Sequence, residues 1–223
     1  MKFWSQVRAI VWKDILSEIR TKESITSVLV FTLLVIVIFN FAFDSNSEIM
    51  NLVAPGILWV TFAFAGVISL NRGFLVEKEE NCIEGLLACP VPREAVYLGK
   101  VVSSLVFMFA VEIIALPIFA LLFNLPVLSL QIVVITIMTT IGFTSVGTLF
   151  SAMAVNTKAR EMVLPILFLP LVSPIIISAV KASGLALSGE PWREFSTWLG
   201  IIGAFDVIFL VASYLLFNFI VEE

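Results

Sequence analysis

Long apolar runs alternate with short polar segments along most of this chain. A run of about 20 apolar residues can cross the hydrocarbon core of a membrane as a helix. The backbone must be helical there, because unpaired backbone N–H and C=O groups are too costly in hydrocarbon. The pattern predicts an all-α, polytopic membrane protein with six transmembrane helices, at approximately residues 25–43, 52–70, 100–123, 127–155, 162–180 and 199–221.

Residues 1–24 follow a different pattern. Apolar residues such as Val7, Val11 and Ile15 recur at spacings of three and four, and basic residues lie mostly between them. This spacing predicts an N-terminal amphipathic helix that lies at the membrane interface. The composition is 60% apolar and 13% charged, whereas soluble domains are about 45–50% apolar and about 25% charged. We therefore treat residues 1–223 as a single transmembrane domain.

The positive charges fall mainly on one side of the predicted topology. Of the 13 Lys and Arg residues, all except Lys181 and Arg193 lie in the N-terminal helix, in residues 71–100 or in the loop at 156–161. Cytoplasmic loops carry the excess of Lys and Arg in membrane proteins. We expect both termini and the loop at 71–97 to be cytoplasmic, in a bacterial inner membrane.

The 71–97 loop carries most of the polar side chains outside the predicted spans. Its acidic residues surround Leu75, Ile83 and Leu86, which favours a short amphipathic helix with an acidic face. The anionic inner leaflet would repel such a helix. One interpretation is therefore a coupling helix that docks on a soluble partner, and the other is a solvated loop.

Two carboxyl groups, those of Glu112 and Asp206, lie inside apolar runs. A charge at the centre of a bilayer costs at least about 2.5–3.5 kcal/mol, so such residues normally face a partner group or a wet cavity. Both are candidates for a translocation path or a proton relay. The alternative is a protonated or hydrogen-bonded carboxyl that fixes helix packing.

Small residues from Gly142 to Ala152 cluster on the fourth span, and Trp or Tyr residues stand near the ends of several spans. Small side chains let helices approach closely, so this face is expected to pack against another helix. Packing within the chain is favoured, and a homodimer is the alternative. Trp59, Tyr97 and Trp198 are interpreted as interfacial anchors.

Several function classes are disfavoured by composition. The chain has no His, two Cys and a net charge of −4, which disfavours a metal site and nucleic-acid binding. No phosphate-binding glycine motif and no nucleophile–base pair is present. We expect a subunit that is not an enzyme, so any ATP hydrolysis must come from a partner chain.

Four motifs follow one another along the chain. They are APGILWV at 54–60, NRGF at 71–74 followed by acidic residues up to EGLL at 84–87, PVP at 90–92 with Lys100 downstream, and LPILFLP at 164–170 continuing to Pro174. In order and spacing they resemble the CcmB family, the permease subunit of the cytochrome c maturation system, and the resemblance covers nearly the whole chain.

The resemblance implies an ABC-2-type permease architecture and a function in heme export or in release of a heme-loaded chaperone. It implies a CcmA-like ATPase docked on the cytoplasmic loop, CcmC-like and CcmD-like heme-handling proteins, and a CcmE-like heme chaperone. ATP and Mg would be bound by the ATPase and heme by the other partners, with no cofactor bound directly by this chain. The residues it implies for ATPase coupling are Glu77, Glu79, Glu80, Glu84, Gly85 and Leu86.

The absence of His has a further consequence within this interpretation. Histidine is the usual axial ligand of heme iron in proteins, although Met, Cys and Tyr also serve. We expect this subunit to transmit ATPase work to a protein that binds heme. Two alternatives remain: an ABC-2 permease that exports a lipid, glycan or drug, and a proton-coupled secondary transporter that uses Glu112 and Asp206.

Overall fold

A computed structural model describes residues 3–21, 23–43, 48–79, 91–155 and 164–220. All regular elements in these ranges are helices, which confirms the all-α prediction. A π-helical turn, Leu164–Phe168, leads directly into the sixth helix. The helices are α1 Phe3–Thr21, α2 Glu23–Ala42, α3 Glu48–Glu79, α4 Arg93–Phe123, α5 Leu130–Val155, α6 Leu169–Leu187 and α7 Trp192–Ile220.

Six of these helices, α2 to α7, are long and apolar enough to cross a membrane, as the hydropathy pattern predicts. Their apolar spans are Ile25–Ala42, Ile49–Asn71, Arg93–Phe123, Leu130–Ala154, Pro165–Leu187 and Trp192–Phe217. Several helices extend beyond the residues expected from hydropathy, including α6, which continues to Leu187, and α7, which begins at Trp192. α3 continues to Glu79 and α4 begins at Arg93, so helical backbone occupies both ends of the segment 71–97.

Helix α5 lies at the centre of the bundle and packs against α3, α4, α6 and α7. Its small residues explain this position. A methyl group at Gly147 would overlap the side chain of Leu70 on α3, and one at Gly142 would overlap Asp206 on α7. The small-residue face of α5 is therefore occupied by helices of the same chain, which is the packing favoured from the sequence.

Pro174 lies inside α6, near the start of the helix. Pro174 lacks an N–H group, so it cannot donate to the carbonyl of Pro170 four residues earlier. The Ser173 hydroxyl donates to this carbonyl at 2.8 Å. A side chain thus supplies the donor that the proline removes, as membrane helices require.

Helix α1 packs along α4. Val7 and Ile10 are buried, whereas Trp4 and Trp12 are 74% and 68% exposed. One face of this helix is therefore held by the bundle. The exposed aromatic side chains, with Arg8 also exposed, suit the interfacial position predicted for this segment.

Candidate functional site

The predicted ATPase-coupling residues lie at and beyond the end of α3. Glu77 and Glu79 belong to the last turns of that helix. The remaining four lie outside the described residues, namely Glu80, Glu84, Gly85 and Leu86. The apolar span of α3 ends at Asn71, so at 1.5 Å per residue its helix continues for about 12 Å past the span.

The end of the α3 span is fixed to α5. The Ser151 hydroxyl donates to the Leu70 carbonyl at 3.0 Å, and the Leu70 side chain packs against Gly147. Both contacts are buried. A displacement of the α3 extension would therefore act on α5, the central helix.

A second connection joins α1 to the bundle at α4. Lys100 Nζ lies 3.0 Å from Asp14 Oδ2, with the two side chains only 6% and 9% exposed. Ile10, one helical turn before Asp14, packs directly on Gly99. The charged pair was not predicted, because an ion pair between distant parts of the chain leaves no local sequence pattern.

Tyr97 and Trp59 are buried, so their interpretation as interfacial anchors is wrong. Tyr97 is 0% exposed, and its hydroxyl lies 2.9 Å from Ser145 Oγ. Trp59 is 3% exposed, and its indole N–H donates to Ser183 Oγ at 2.9 Å. Both side chains contact neighbouring helices. The hydropathy of a single span contains no information about such contacts.

Glu112 lies inside the bundle and is 2% exposed. The Thr140 hydroxyl of α5 donates to its Oε1 at 2.6 Å, whereas Oε2 has no hydrogen-bond partner. The carboxyl borders a small cavity between α3, α4, α5 and α6. The sequence identified this residue, but not the hydroxyl that binds it.

Asp206 does not share that cavity. It lies on α7 and contacts α5 at Gly142, and its buried Oδ1 has no hydrogen-bond partner. Positions 140 and 142 of one helix point about 200° apart. The two carboxyl groups therefore contact opposite sides of α5 and are not brought together.

Comparison with known proteins gives matches along almost the full length. The family model described as CcmB protein matches residues 5–221. Heme exporter protein B of Rhodobacter capsulatus is 30% identical over 187 residues, which cover 81% of this chain and 86% of the relative. The protein of the same name from Pseudomonas aeruginosa is 27% identical, and the match covers 83% of this chain and 83% of the relative. The one from Bradyrhizobium diazoefficiens is 26% identical, and the match covers 91% of this chain and 91% of the relative.

The family-model match includes all six apolar spans and the residues that form the two connections described above. The chain therefore belongs to the CcmB protein family.

Proposed function

We propose that this chain is the transmembrane permease subunit of an ABC transporter complex for cytochrome c maturation. In this complex, ATP hydrolysis by a partner subunit drives heme export or the release of a heme-loaded chaperone. The observation that carries the proposal is the family match over residues 5–221, with relatives named heme exporter protein B. The subunit itself is a transport component that leaves ATP hydrolysis to its partner.

The coupling route starts at the acidic segment, residues 77–84, which includes the end of α3 and the residues that follow it. An ATPase bound there would push on a helix that continues without interruption into the bundle. The Ser151–Leu70 hydrogen bond and the Leu70–Gly147 contact then transmit the displacement to α5. Since α5 packs against α3, α4, α6 and α7, its movement would rearrange most of the bundle.

Helix α1 provides a second point of control in this mechanism. Its ion pair with Lys100 and its packing on Gly99 tie it to the start of α4. The acidic segment leads from the end of α3 towards α4 in the chain, so a partner seated on it acts on both helices. With both termini cytoplasmic, α1 would lie on the same side of the membrane as that partner.

The proposed ATPase contact is tested by charge reversal. We expect the double variant Glu80→Lys, Glu84→Lys to reduce co-purification of the ATPase at least ten-fold, because an acidic docking surface becomes basic. The matched control is Glu190→Lys, Glu194→Lys, which reverses two exposed acidic residues around the start of α7. The measurement is the ATPase recovered per tagged subunit in mild detergent, with membrane insertion checked separately.

Three outcomes would count against the proposal. ATPase recovery that is equal in both double variants would remove the acidic segment as the docking site. A purified assembly that transports in response to an ion gradient, without an ATPase, would favour the proton-coupled secondary transporter. An ATPase accompanied by no heme-handling proteins would favour an ABC-2 permease for a lipid, glycan or drug.

A further inference from the structure

The side of α1 that faces away from the bundle carries large apolar and basic side chains. Five exposed residues recur at every fourth position, which places them in a row along the helix. They form the outer face of α1: Trp4, Arg8, Trp12, Leu16 and Arg20. Apolar and aromatic residues combined with Arg are typical of a helix that binds a membrane surface.

The acidic side chains of α1 are engaged by neighbouring helices instead. The helix contains two of them. Asp14, whose side chain is 9% exposed, pairs with Lys100 of α4 and with the adjacent Lys13. Glu18 Oε1 accepts a hydrogen bond from the Ile25 N–H of α2 at 2.8 Å. The outer face of α1 therefore carries positive charge that no acidic residue on that face offsets.

Helix α1 lies next to the apolar spans of the bundle. It ends at Thr21, and the span of α2 begins at Ile25. Its buried side packs on Gly99 near the start of α4. Trp side chains concentrate at the level of the lipid headgroups, and basic residues at that level are attracted to anionic lipids. The position and the composition of the outer face fit the same environment.

Charge distinguishes between two classes of partner. An ATPase surface that fits the acidic segment would be basic, so it would repel Arg8 and Arg20; this step rests on the proposed function. Phospholipid phosphates carry the opposite charge, and Arg binds phosphate in bidentate geometry. The cytoplasmic leaflet, where the cation distribution of the chain predicts α1 to lie, contains anionic lipids.

We propose that the outer face of α1 binds the headgroups of anionic phospholipids. Arg8 and Arg20 pair with the phosphates, while the Trp4 and Trp12 rings lie in the headgroup layer. The helix is then held from both sides, by the bundle through its acidic residues and by lipid through its basic ones. Because the lipid binds the folded helix, it suppresses local unfolding of α1.

Hydrogen exchange in lipid nanodiscs tests the proposal. The full chain, with any co-purifying subunits, is placed in phosphatidylcholine alone or in equal parts of phosphatidylcholine and phosphatidylglycerol. One basic residue near an anionic surface strengthens binding about five-fold, so we expect phosphatidylglycerol to slow exchange of α1 amides by about five-fold or more. The double variant Arg8→Gln, Arg20→Gln should lose this effect. The matched control is Lys181→Gln, Arg193→Gln, which removes two exposed charges from α6 and α7.

Tryptophan fluorescence measures the contact directly. Dibrominated phosphatidylglycerol in phosphatidylcholine should quench more than dibrominated phosphatidylcholine does at the same proportion in phosphatidylglycerol. We expect Trp4→Phe, Trp12→Phe to lose this preference. The control Trp192→Phe, Trp198→Phe should retain it, because these residues lie on α7. High salt should weaken the preference by screening.

Three results would overturn the proposal. The first is exchange of α1 amides that is equal in the two lipid compositions. The second is a phosphatidylglycerol effect that Arg8→Gln, Arg20→Gln retains in full. The third is protection of α1 that depends on a co-purifying subunit and not on phosphatidylglycerol, which would assign the outer face to a protein. These measurements need no ATP, so their failure is distinct from a failure of the proposed ATPase coupling.

Discussion

Substitution of Gly99 by Ala tests how α1 is held against α4. A Cβ atom at this position would lie 2.7 Å from Ile10 Cγ2 and 2.9 Å from Ile10 Cβ. Carbon atoms pack at about 3.5–4.0 Å. Because Cβ is attached directly to the backbone, rotation of the Ile10 side chain cannot relieve the second contact. Helix α1 must therefore move away from α4 by about 0.5–1 Å.

The expected magnitude combines two opposing effects. Overpacking costs about 1–3 kcal/mol, while replacing a helical Gly by Ala gains about 0.5–1 kcal/mol. We expect a net loss of about 0.5–2 kcal/mol for Gly99→Ala. Gly200→Ala is the matched control, because no atom lies within 4 Å of its added methyl group, and it should be neutral or stabilising by up to about 1 kcal/mol.

Thermal unfolding in detergent measures the stability, and hydrogen exchange of α1 amides reports its docking. Gly99→Ala should lower the melting temperature and speed exchange in α1, whereas Gly200→Ala should do neither. The double variant Ile10→Ala, Gly99→Ala should lose less stability than the sum of its single variants, since removal of Cγ2 relieves part of the overlap. Equal stability of the two glycine variants would refute the close contact.

Two further predictions concern hydrogen bonds at α5. Tyr97→Phe removes a buried hydroxyl that contacts both the hydroxyl and the carbonyl of Ser145. We expect the free energy of unfolding to fall by about 1–3 kcal/mol, measured by thermal unfolding. An unchanged melting temperature would contradict the contact. Ser151→Ala removes the donor to the Leu70 carbonyl. It should leave ATPase association intact while lowering transport per ATP hydrolysed, and normal coupling would remove this bond from the route.

The number of spans was predictable because hydropathy over about 20 residues is a local property. The residues at which the helices begin and end were less predictable. The segments at 72–79 and 93–99 carry charges that end an apolar run, yet they continue the helices of the adjacent spans. Charge marks where a helix leaves the hydrocarbon, and it does not mark where the helix itself ends.

The partners of the site residues could not be predicted for a different reason. Glu112 was identified from its position in an apolar run, but its partner Thr140 lies 28 residues away on another helix. The Asp14–Lys100 pair joins helices that are separated by two spans. Such contacts depend on how the helices are arranged, and a single sequence contains no periodic signal for that arrangement.

The helices also differ greatly in how much of their surface the chain itself covers. In the apolar spans, 72% of the residues of α5 are buried, compared with 17% for α2 and 22% for α7. An outward position such as Leu34 needs only an apolar side chain, whereas Gly147 admits no larger one without displacing Leu70. Amino-acid substitutions should therefore accumulate on the outer faces of α2 and α7. A comparison of many relatives should find that the sequence of α5 changes most slowly.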